Sequence, residues 1–254
     1  MPGVYSTSAT GFVWTGWESN DMDKILRILN QIPLFSGLAD DELGKIRTIA
    51  VDKFYDKGKT IFLEGDEGKG FYIVASGKVK IFKLSLEGKE KILHIYGPGN
   101  PFGEVPVFSG NRFPANAETL LKSHLLFLPR KRFTTLISAN PSLAINMLGV
   151  MSLRLREFAV QIENLSLKEV PGRLAAYLLY LSKEQTRNHS VDNRITLTIS
   201  KGQLASLLGT IPETLSRIFA KMNQQNLISV NGKNIHLYDI EGLKYLSETG
   251  RLGE

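Results

Sequence analysis

The stretch SKGQLASLLGTIPETLSRIFAKMNQ, residues 200–224, contains two helical segments separated by a glycine. Ser200 is a favoured N-cap residue, Gly209 is a favoured C-cap residue, and Pro212 stands in the first turn of the second segment, where its missing N–H costs little. The second segment is apolar on one side and polar on the other. Its apolar set is Leu215, Ile218, Phe219 and Met222, and its polar set is Glu213, Thr214, Ser216 and Arg217. We therefore predict two short helices joined by a tight turn, of which the second buries only one face.

The residues that follow predict a β-hairpin. The segment LISVNGKNIHLY, residues 227–238, carries Asn231-Gly232, a dipeptide that favours a two-residue turn between antiparallel strands. Helix, tight turn, helix and hairpin together predict a winged helix-turn-helix domain. The second helix of such a domain can enter the DNA major groove, where Arg bonds guanine and Glu accepts from cytosine. The alternative is that Glu213 and Arg217 form only an i,i+4 ion pair on the surface.

Residues 54–128 predict an antiparallel β-roll. Short apolar runs are separated there by regularly spaced glycines, a pattern typical of barrels and rolls. The glycines are Gly58, Gly65, Gly68, Gly77, Gly88, Gly97, Gly99 and Gly103. A roll of this size can enclose one small ligand.

Beyond Pro141, apolar residues recur at alternating steps of four and three. This seam consists of Ala144, Leu148, Met151, Leu155, Phe158, Ile162 and Leu165. A single amphipathic helix packed on its own roll is one interpretation, but spacing sustained over about three heptads favours a coiled coil between two copies. We expect a homodimer. The predicted interface residues are Leu148, Met151, Leu155, Phe158 and Ile162.

The composition limits the chemistry that this chain can perform. Its 254 residues carry a formal net charge of +6, a mild bias towards polyanions such as DNA. The absence of cysteine excludes disulfides, an iron–sulfur cluster held by thiolates and Cys-ligated zinc. No apolar run approaches the roughly 20 residues that span a bilayer, so we expect a cytoplasmic protein without membrane contact. No catalytic constellation is present, and we do not expect an enzyme.

These patterns predict an α+β fold in consecutive segments. An N-terminal extension occupies residues 1–21, and an effector-sensing β-roll domain occupies residues 22–140. A dimerisation helix follows at residues 141–168, and the winged helix-turn-helix domain occupies residues 169–247.

The whole arrangement resembles the Crp/Fnr superfamily of bacterial transcription regulators. The resemblance rests on PFGE (101–104), VPGRLAAYLL (170–179) and ISKGQLASLLGTIPETLSRIFAKMNQQNLISVNGKNI (199–235). It implies a jelly roll like those that bind cyclic nucleotides, a homodimer on an inverted repeat of double-stranded DNA, and RNA polymerase as a partner. The segment ETLSR, residues 213–217, is similar to the oxygen-regulator branch, because the cyclic-AMP branch has Gly where Ser216 stands.

The resemblance also implies roles for individual residues of the DNA-binding domain. Glu213 and Arg217 correspond to residues that read a half-site containing G·C pairs, and Ser216 distinguishes subclasses. Phosphate contacts are implied for Lys201, Thr214 and the wing. The other residues that we assign to the DNA-binding surface are Ser200, Gly232 and Lys233.

The effector region departs from the cyclic-nucleotide-binding members. Gly103 and Glu104 match their Gly-Glu pair, but Pro114 and Ala115 stand where an Arg-Ser pair, ten residues later, clamps the cyclic phosphate. Arg112 lies two residues earlier and is a substitute in principle. On the long helix, Phe158 stands where the cyclic-AMP receptor presents a Thr to the adenine. The pocket residues that we assign are His94, Gly103, Glu104, Arg112, Arg154 and Phe158.

We therefore expect an effector other than cyclic AMP, without identifying it. The segment NRFPANAET, residues 111–119, resembles heme-dependent sensors of nitric oxide or carbon monoxide, and His94 is the best candidate for an axial heme ligand. The alternatives are that His94 is an ordinary barrel histidine and that Gly103 and Glu104 only form a turn and cap a short helix. An alternative function is a cyclic-nucleotide-fold module that controls a protein partner.

Overall fold

The computed structural model describes residues 26, 28–30, 32–110, 112–186 and 193–250. The predicted N-terminal extension, residues 1–21, and His189 lie outside these ranges. The described chain forms an N-terminal β-roll, a long helix and a C-terminal domain of helices with a small sheet. The predicted α+β fold class is confirmed.

The described part of the β-roll consists of two antiparallel sheets with four strands each. The strands are β1 (Val51–Tyr55), β2 (Thr60–Phe62), β3 (Gly70–Ser76), β4 (Val79–Leu84), β5 (Glu90–Tyr96), β6 (Pro101–Phe102), β7 (Asn116–Thr119) and β8 (Ser123–Pro129). The first sheet has the order β1-β8-β3-β6 and the second has the order β2-β7-β4-β5. Strand β5 therefore lies at one edge of the second sheet.

Short helices cover the first sheet. They are a 3₁₀ turn (Pro33–Phe35), α1 (Asp40–Ile49), α2 (Val105–Ser109) and α3 (Arg130–Ala139). Their apolar side chains share one core with the sheet. In this core Phe71 of β3 meets Phe133 of α3 edge-on, with ring centroids 4.7 Å apart. These helices are thus part of the roll domain.

The long helix α4 spans Pro141–Leu167 and begins at the N-cap Asn140, whose side chain accepts from the N–H of Ser142. One face of α4 is buried against the roll, and it is not the predicted seam. The buried residues are Leu143, Met147 and Arg154. The seam residues Leu148, Leu155 and Ile162 are 67, 70 and 65 % exposed. Since the seam does not pack on its own roll, a second copy of α4 is the partner that its heptad spacing fits.

The C-terminal domain has the predicted helix-turn-helix and wing. Its elements are α5 (Val170–Thr186), β9 (Arg194–Thr196), α6 (Lys201–Leu208), α7 (Pro212–Gln224), β10 (Ile228–Asn231), β11 (Asn234–Leu237) and α8 (Ile240–Thr249). Gly209 ends α6 in the left-handed conformation, with φ 68°. The hairpin turn lies one residue later than predicted, because Asn231 pairs with Asn234 and leaves Gly232 and Lys233 in the turn. Helix α8 was not predicted.

Gly172 is required for the close contact of α5 with α8. A Cβ atom at Gly172 would lie 2.7 Å from the Cα of Gly250 and 3.0 Å from the carbonyl oxygen of Leu246. We expect Gly172→Ala to lower the free energy of unfolding of the C-terminal domain by about 1–3 kcal/mol, measured by urea denaturation with circular dichroism. The control is Gly149→Ala in α4, where a Cβ atom meets only open space. It should change stability by less than about 1 kcal/mol, and equal losses in both variants would contradict this explanation.

Candidate nucleic-acid interface and effector pocket

The exposed face of α7 carries the residues predicted to read DNA bases. Glu213, Ser216 and Arg217 are exposed. The opposite face is buried and consists of Leu215, Ile218, Phe219 and Met222. Arg217 Nη2 donates to Thr214 Oγ1 over 3.3 Å, and among the described residues Arg217 forms no ion pair with Glu213. The surface pair considered as an alternative is therefore not formed, and both charged groups remain available on the helix surface.

Groups suited to phosphate contacts lie beside this face. Ser200 Oγ accepts from the N–H of Gln203 at 3.2 Å, while the N–H of Ser200 donates to Gln203 Oε1 at 2.9 Å. Lys201 is exposed in the first turn of α6, with its ammonium 5.9 Å from the ring centroid of Phe219. A helix N-terminus carries partial positive charge, so this end of α6 and Lys201 together favour a phosphate. The predicted wing residues Gly232 and Lys233 are also exposed.

Aromatic side chains fill the interior of the roll. The aromatic cluster consists of Phe62, Tyr72, Tyr96, Phe102 and Phe113. Phe62 and Phe113 stack with centroids 3.7 Å apart, and Phe102 stacks on Tyr72 at 5.4 Å and on Tyr96 at 6.1 Å. Burial raises the pKa of Tyr72 and of Tyr96 to about 12, so both phenols are neutral at physiological pH. The interior of the roll around this cluster is therefore apolar and closely packed.

A buried ion pair joins the long helix to the roll beside the aromatic cluster. Arg154 Nη1 donates to Glu104 Oε1 at 2.5 Å, and Nη2 donates to the carbonyl oxygen of Pro101. The guanidinium carbon lies 4.8 Å from the ring centroid of Tyr96. Gly103 forms the turn before Glu104, with φ 73°, and Glu104 occupies the N-cap position of α2 without a side-chain cap. Both charges are compensated within the protein, so Arg154 is not a free cation for a ligand.

His94 lies on β5 next to these groups. Its ring centroid is 4.3 Å from that of Tyr96. Burial, together with the positive charge of Arg154, lowers the pKa of His94 to about 4. The imidazole is therefore neutral near pH 7, which is the form that can bind a metal. The structure thus brings His94, Glu104 and Arg154 to one place.

Arg112 and Phe158 take no part in the buried ion pair or in the ring contacts of the aromatic cluster. Arg112 is exposed, and its Nη1 donates to the carbonyl oxygen of Gly65 at 2.7 Å. It takes no part in the buried ion pair, so the expectation that Arg112 substitutes for the phosphate clamp finds no support in its position. Phe158 is 41 % exposed on α4 and does not belong to the aromatic cluster.

Sequence reasoning did not find the aromatic cluster as a unit, nor the contacts of β5 with the C-terminal domain. Ser206 Oγ donates to the carbonyl oxygen of Glu90, and Lys91 Nζ donates to the carbonyl oxygen of Leu207. A serine inside a helix has no pattern that marks such a contact. These residues join two domains that are distant in the sequence.

Within the described ranges, no group of three or more His, Asp or Glu side chains is arranged to hold a metal ion. His124 instead bonds Asp52, with 2.7 Å between Nε2 and Oδ1. In the same part of the chain no single helix is long and apolar enough to cross a membrane. Helices α3 and α4 taken together have sufficient length and apolar composition, but they are bent by 113° relative to each other.

Comparison with known families and relatives matches both parts of the chain. The model of the cyclic nucleotide-binding domain matches residues 52–140, and that of the Crp-like helix-turn-helix domain matches residues 172–246. The cyclic AMP receptor protein of Thermus thermophilus is 34 % identical over 202 residues, which are 77 % of this chain and 88 % of that relative. The fumarate and nitrate reduction regulatory protein of Salmonella typhimurium is 28 % identical over 220 residues, covering 86 % and 88 % of the two chains.

Solved structures agree with these matches. A transcriptional regulator of the CRP/FNR family from Thermus thermophilus has a TM-score of 0.65 at 28 % identity, covering 78 % of this chain and 98 % of that one. FixK2 from Bradyrhizobium japonicum, with a TM-score of 0.69 at 24 % identity, shares the fold over 78 % of this chain and 97 % of its own. The chain belongs to the Crp/Fnr superfamily of DNA-binding transcription regulators. At the level of the family, these proteins are regulators and not enzymes.

Two substitutions distinguish base reading from phosphate binding on the surface that α6 and α7 form. If Arg217 bonds a guanine, Arg217→Ala should cost about 1–3 kcal/mol of DNA-binding free energy and relax the preference at that base. Lys201→Ala should weaken binding to all sequences nearly equally. It should also reduce the slope of the logarithm of the binding constant against the logarithm of the salt concentration by about one. Fluorescence anisotropy on a set of single-base variants measures both effects. Equal losses from the two substitutions on every duplex would contradict the assignment.

Proposed function

We propose that this protein is a cytoplasmic homodimer that binds an inverted repeat in promoter DNA and regulates transcription with RNA polymerase, under the control of a small-molecule effector. The observation that carries this proposal is the exposed polar face of α7 above its buried apolar face. Glu213 and Arg217 are not paired with each other, so their hydrogen-bonding groups are free to meet base edges. This base-reading chemistry favours DNA over a protein as the ligand of the C-terminal domain.

The long helix supports the homodimer. Its seam exposes a row of large apolar side chains that a monomer would leave in water. Pairing two copies of α4 along the seam buries this row and relates the two recognition helices by a two-fold axis. A symmetric pair of recognition helices fits two half-sites of an inverted repeat.

The effector that we propose is not cyclic AMP, although the Thermus thermophilus relative is named for that nucleotide. Pro114 and Ala115 supply no cation at the place of the phosphate clamp. The Lys83 ammonium lies 3.1 Å from the carbonyl oxygen of Pro114 but is paired with Glu64, and Arg154 is already paired with Glu104. A cyclic phosphate in this apolar space would keep an uncompensated charge, at a cost of several kcal/mol. The aromatic cluster is better suited to a planar, apolar molecule that replaces some of its ring contacts.

The macrocycle of heme is planar and apolar, although its two propionates are charged and would need to reach water, and the residues present meet two of the requirements of the macrocycle and its iron. His94 offers a neutral imidazole, and the aromatic cluster offers apolar walls. When bound, heme supplies an iron atom that can coordinate a diatomic gas. In this proposal the residue of this chain that would hold the heme is His94. Because His94 lies on β5, binding of heme would alter the position of that strand.

The homodimer is tested by a charge on the seam. Leu155→Glu places two carboxylates opposite each other in a buried interface and should give monomers that no longer bind an inverted repeat. Analytical ultracentrifugation and gel shift measure the two effects. The matched control is Leu153→Glu, which adds the same charge at a site that is 60 % exposed and off the seam, and should leave a dimer. A Leu155→Glu variant that sediments as a dimer would place the interface elsewhere.

The effector is tested by titration with hemin. Adding hemin to the purified protein should give a saturable Soret band whose position shifts in His94→Ala, because that variant lacks the proposed axial ligand. His124→Ala is the control, since His124 is already bonded to Asp52 and should not alter the band. Failure of hemin to saturate, combined with tight binding of cyclic AMP that strengthens DNA binding, would refute both the heme proposal and the argument from the missing clamp.

A further inference from the structure

The C-terminal end of α6 covers the free edge of the second sheet. Strand β5 has β4 on one side only, so the other side of its backbone has no neighbouring strand. Ser206 Oγ donates to the carbonyl oxygen of Glu90 at 2.8 Å and accepts from the N–H of Ile92 at 2.9 Å. One hydroxyl thus satisfies both a backbone acceptor and a backbone donor of the edge strand.

A side chain of β5, Lys91, also binds the C-terminal end of α6. Its Nζ donates to the carbonyl oxygens of Ser206 at 3.1 Å and Leu207 at 2.9 Å. The last carbonyls of a helix have no partner within the helix and carry partial negative charge, so a cation is favoured there. Lys91 is half-buried, and this burial, aided by the charge of Arg173, lowers its pKa. Hydrogen bonds of a partly desolvated charge are stronger than those of an exposed one.

Further contacts seat the C-terminal domain on the roll. Lys78 Nζ donates to Thr198 Oγ1 at 2.8 Å. Leu120 of the roll is 3 % exposed and belongs to the apolar core of the C-terminal domain, and Ile95 of β5 packs against that core. The position of the domain is therefore fixed by side-chain contacts as well as by its covalent connection to α4.

These contacts leave the DNA-binding surface free. They use the C-terminal end of α6, whereas the phosphate site lies at its N-terminal end. Ser200, Lys201, Arg217 and Lys233 are all exposed while α6 is bound to β5. Binding of α6 to the roll is thus compatible with binding of DNA to the same domain.

We propose that Ser206 and Lys91 are positioning residues for DNA recognition. By binding α6 to β5, they hold the recognition helix α7 at a fixed place relative to the long helix and so relative to α7 of the second copy. Only residues 209–211 separate α6 from α7, so fixing the end of α6 fixes the start of α7. The inference rests on the proposed function, because it requires a homodimer on an inverted repeat.

The same strand also borders the effector pocket. His94 and Tyr96 follow Ile92 on β5 by two and four residues. A ligand that shifts β5 at His94 therefore acts on α6 in the same protomer through Ser206 and Lys91. Strand β5 is a direct connection between the pocket and the DNA-binding domain, separate from the dimer helix.

The test compares two duplexes, one with the inverted repeat that the wild type binds most tightly in a gel-shift panel and one with a single half-site of it. In the variant Ser206→Ala/Lys91→Met the DNA-binding domain of each protomer keeps its DNA-contacting residues. The DNA-binding domains of the two protomers are, however, no longer held at a fixed distance and orientation to each other. We expect affinity for the inverted repeat to fall roughly tenfold and affinity for the half-site to change less than about twofold. Lys91→Arg keeps the cation and should bind both duplexes as the wild type does.

The matched control is Lys89→Met, which removes the same charge from an exposed lysine two residues away. It should not change either affinity. Equal losses of the double variant on both duplexes would assign the effect to a damaged domain and overturn the inference, as would unchanged or tighter binding to the inverted repeat. A wild type that binds no inverted repeat would contradict the proposed function itself.

Discussion

A buried guanidinium needs compensating partners, and this requirement determines how the long helix lies on the roll. Arg154 is only 9 % exposed and is bonded to Glu104 and to the carbonyl oxygen of Pro101. Removing one partner of a buried ion pair costs about 3–5 kcal/mol, so α4 cannot rotate about its axis without a large penalty. With this face fixed on the roll, Leu148 and Leu155 face away from it. The ion pair thus sets the direction in which the exposed seam of α4 points, and it lies beside the aromatic cluster where we propose that the effector binds.

The DNA-binding domain is held by its connection to α4 and by contacts with the roll, of which the contact of α6 with β5 lies nearest the recognition helix. The connection from α4 to α5 is covalent, while the contact of α6 with β5 consists of hydrogen bonds, the Lys91 ammonium and a small apolar area. Such hydrogen bonds contribute about 1 kcal/mol each when both partners are neutral and about 1.5–3 kcal/mol when the donor is charged, so a change in β5 can alter the contact of α6 with β5. An effector that displaces rings of the aromatic cluster moves Tyr96, which lies on that strand. Such an effector can shift the population of domain positions by its different affinity for each of them.

Much of the fold could be predicted because its signals are local. The cap at Ser200, the left-handed Gly209 and the polar and apolar faces of α7 each act within one or two turns of helix. The wing turn was displaced by one residue, since Gly232 takes the positive φ of 60° and Asn231 stays in the strand. Contacts between distant segments could not be predicted. Nothing in the one-dimensional pattern connects Ser206 with β5, and sequence spacing could not show that the side chain of Arg112 bonds the carbonyl oxygen of Gly65.

The central claim is that two recognition helices, held by the roll and the dimer helix, read two half-sites at once. Selection of bound duplexes from a random-sequence library, followed by sequencing, tests this claim most directly. The account predicts enrichment of an inverted repeat whose half-site centres lie about 10–10.5 base pairs, or a multiple of that distance, apart. Enrichment of a single unrepeated site, or no enrichment above the starting library, would contradict it.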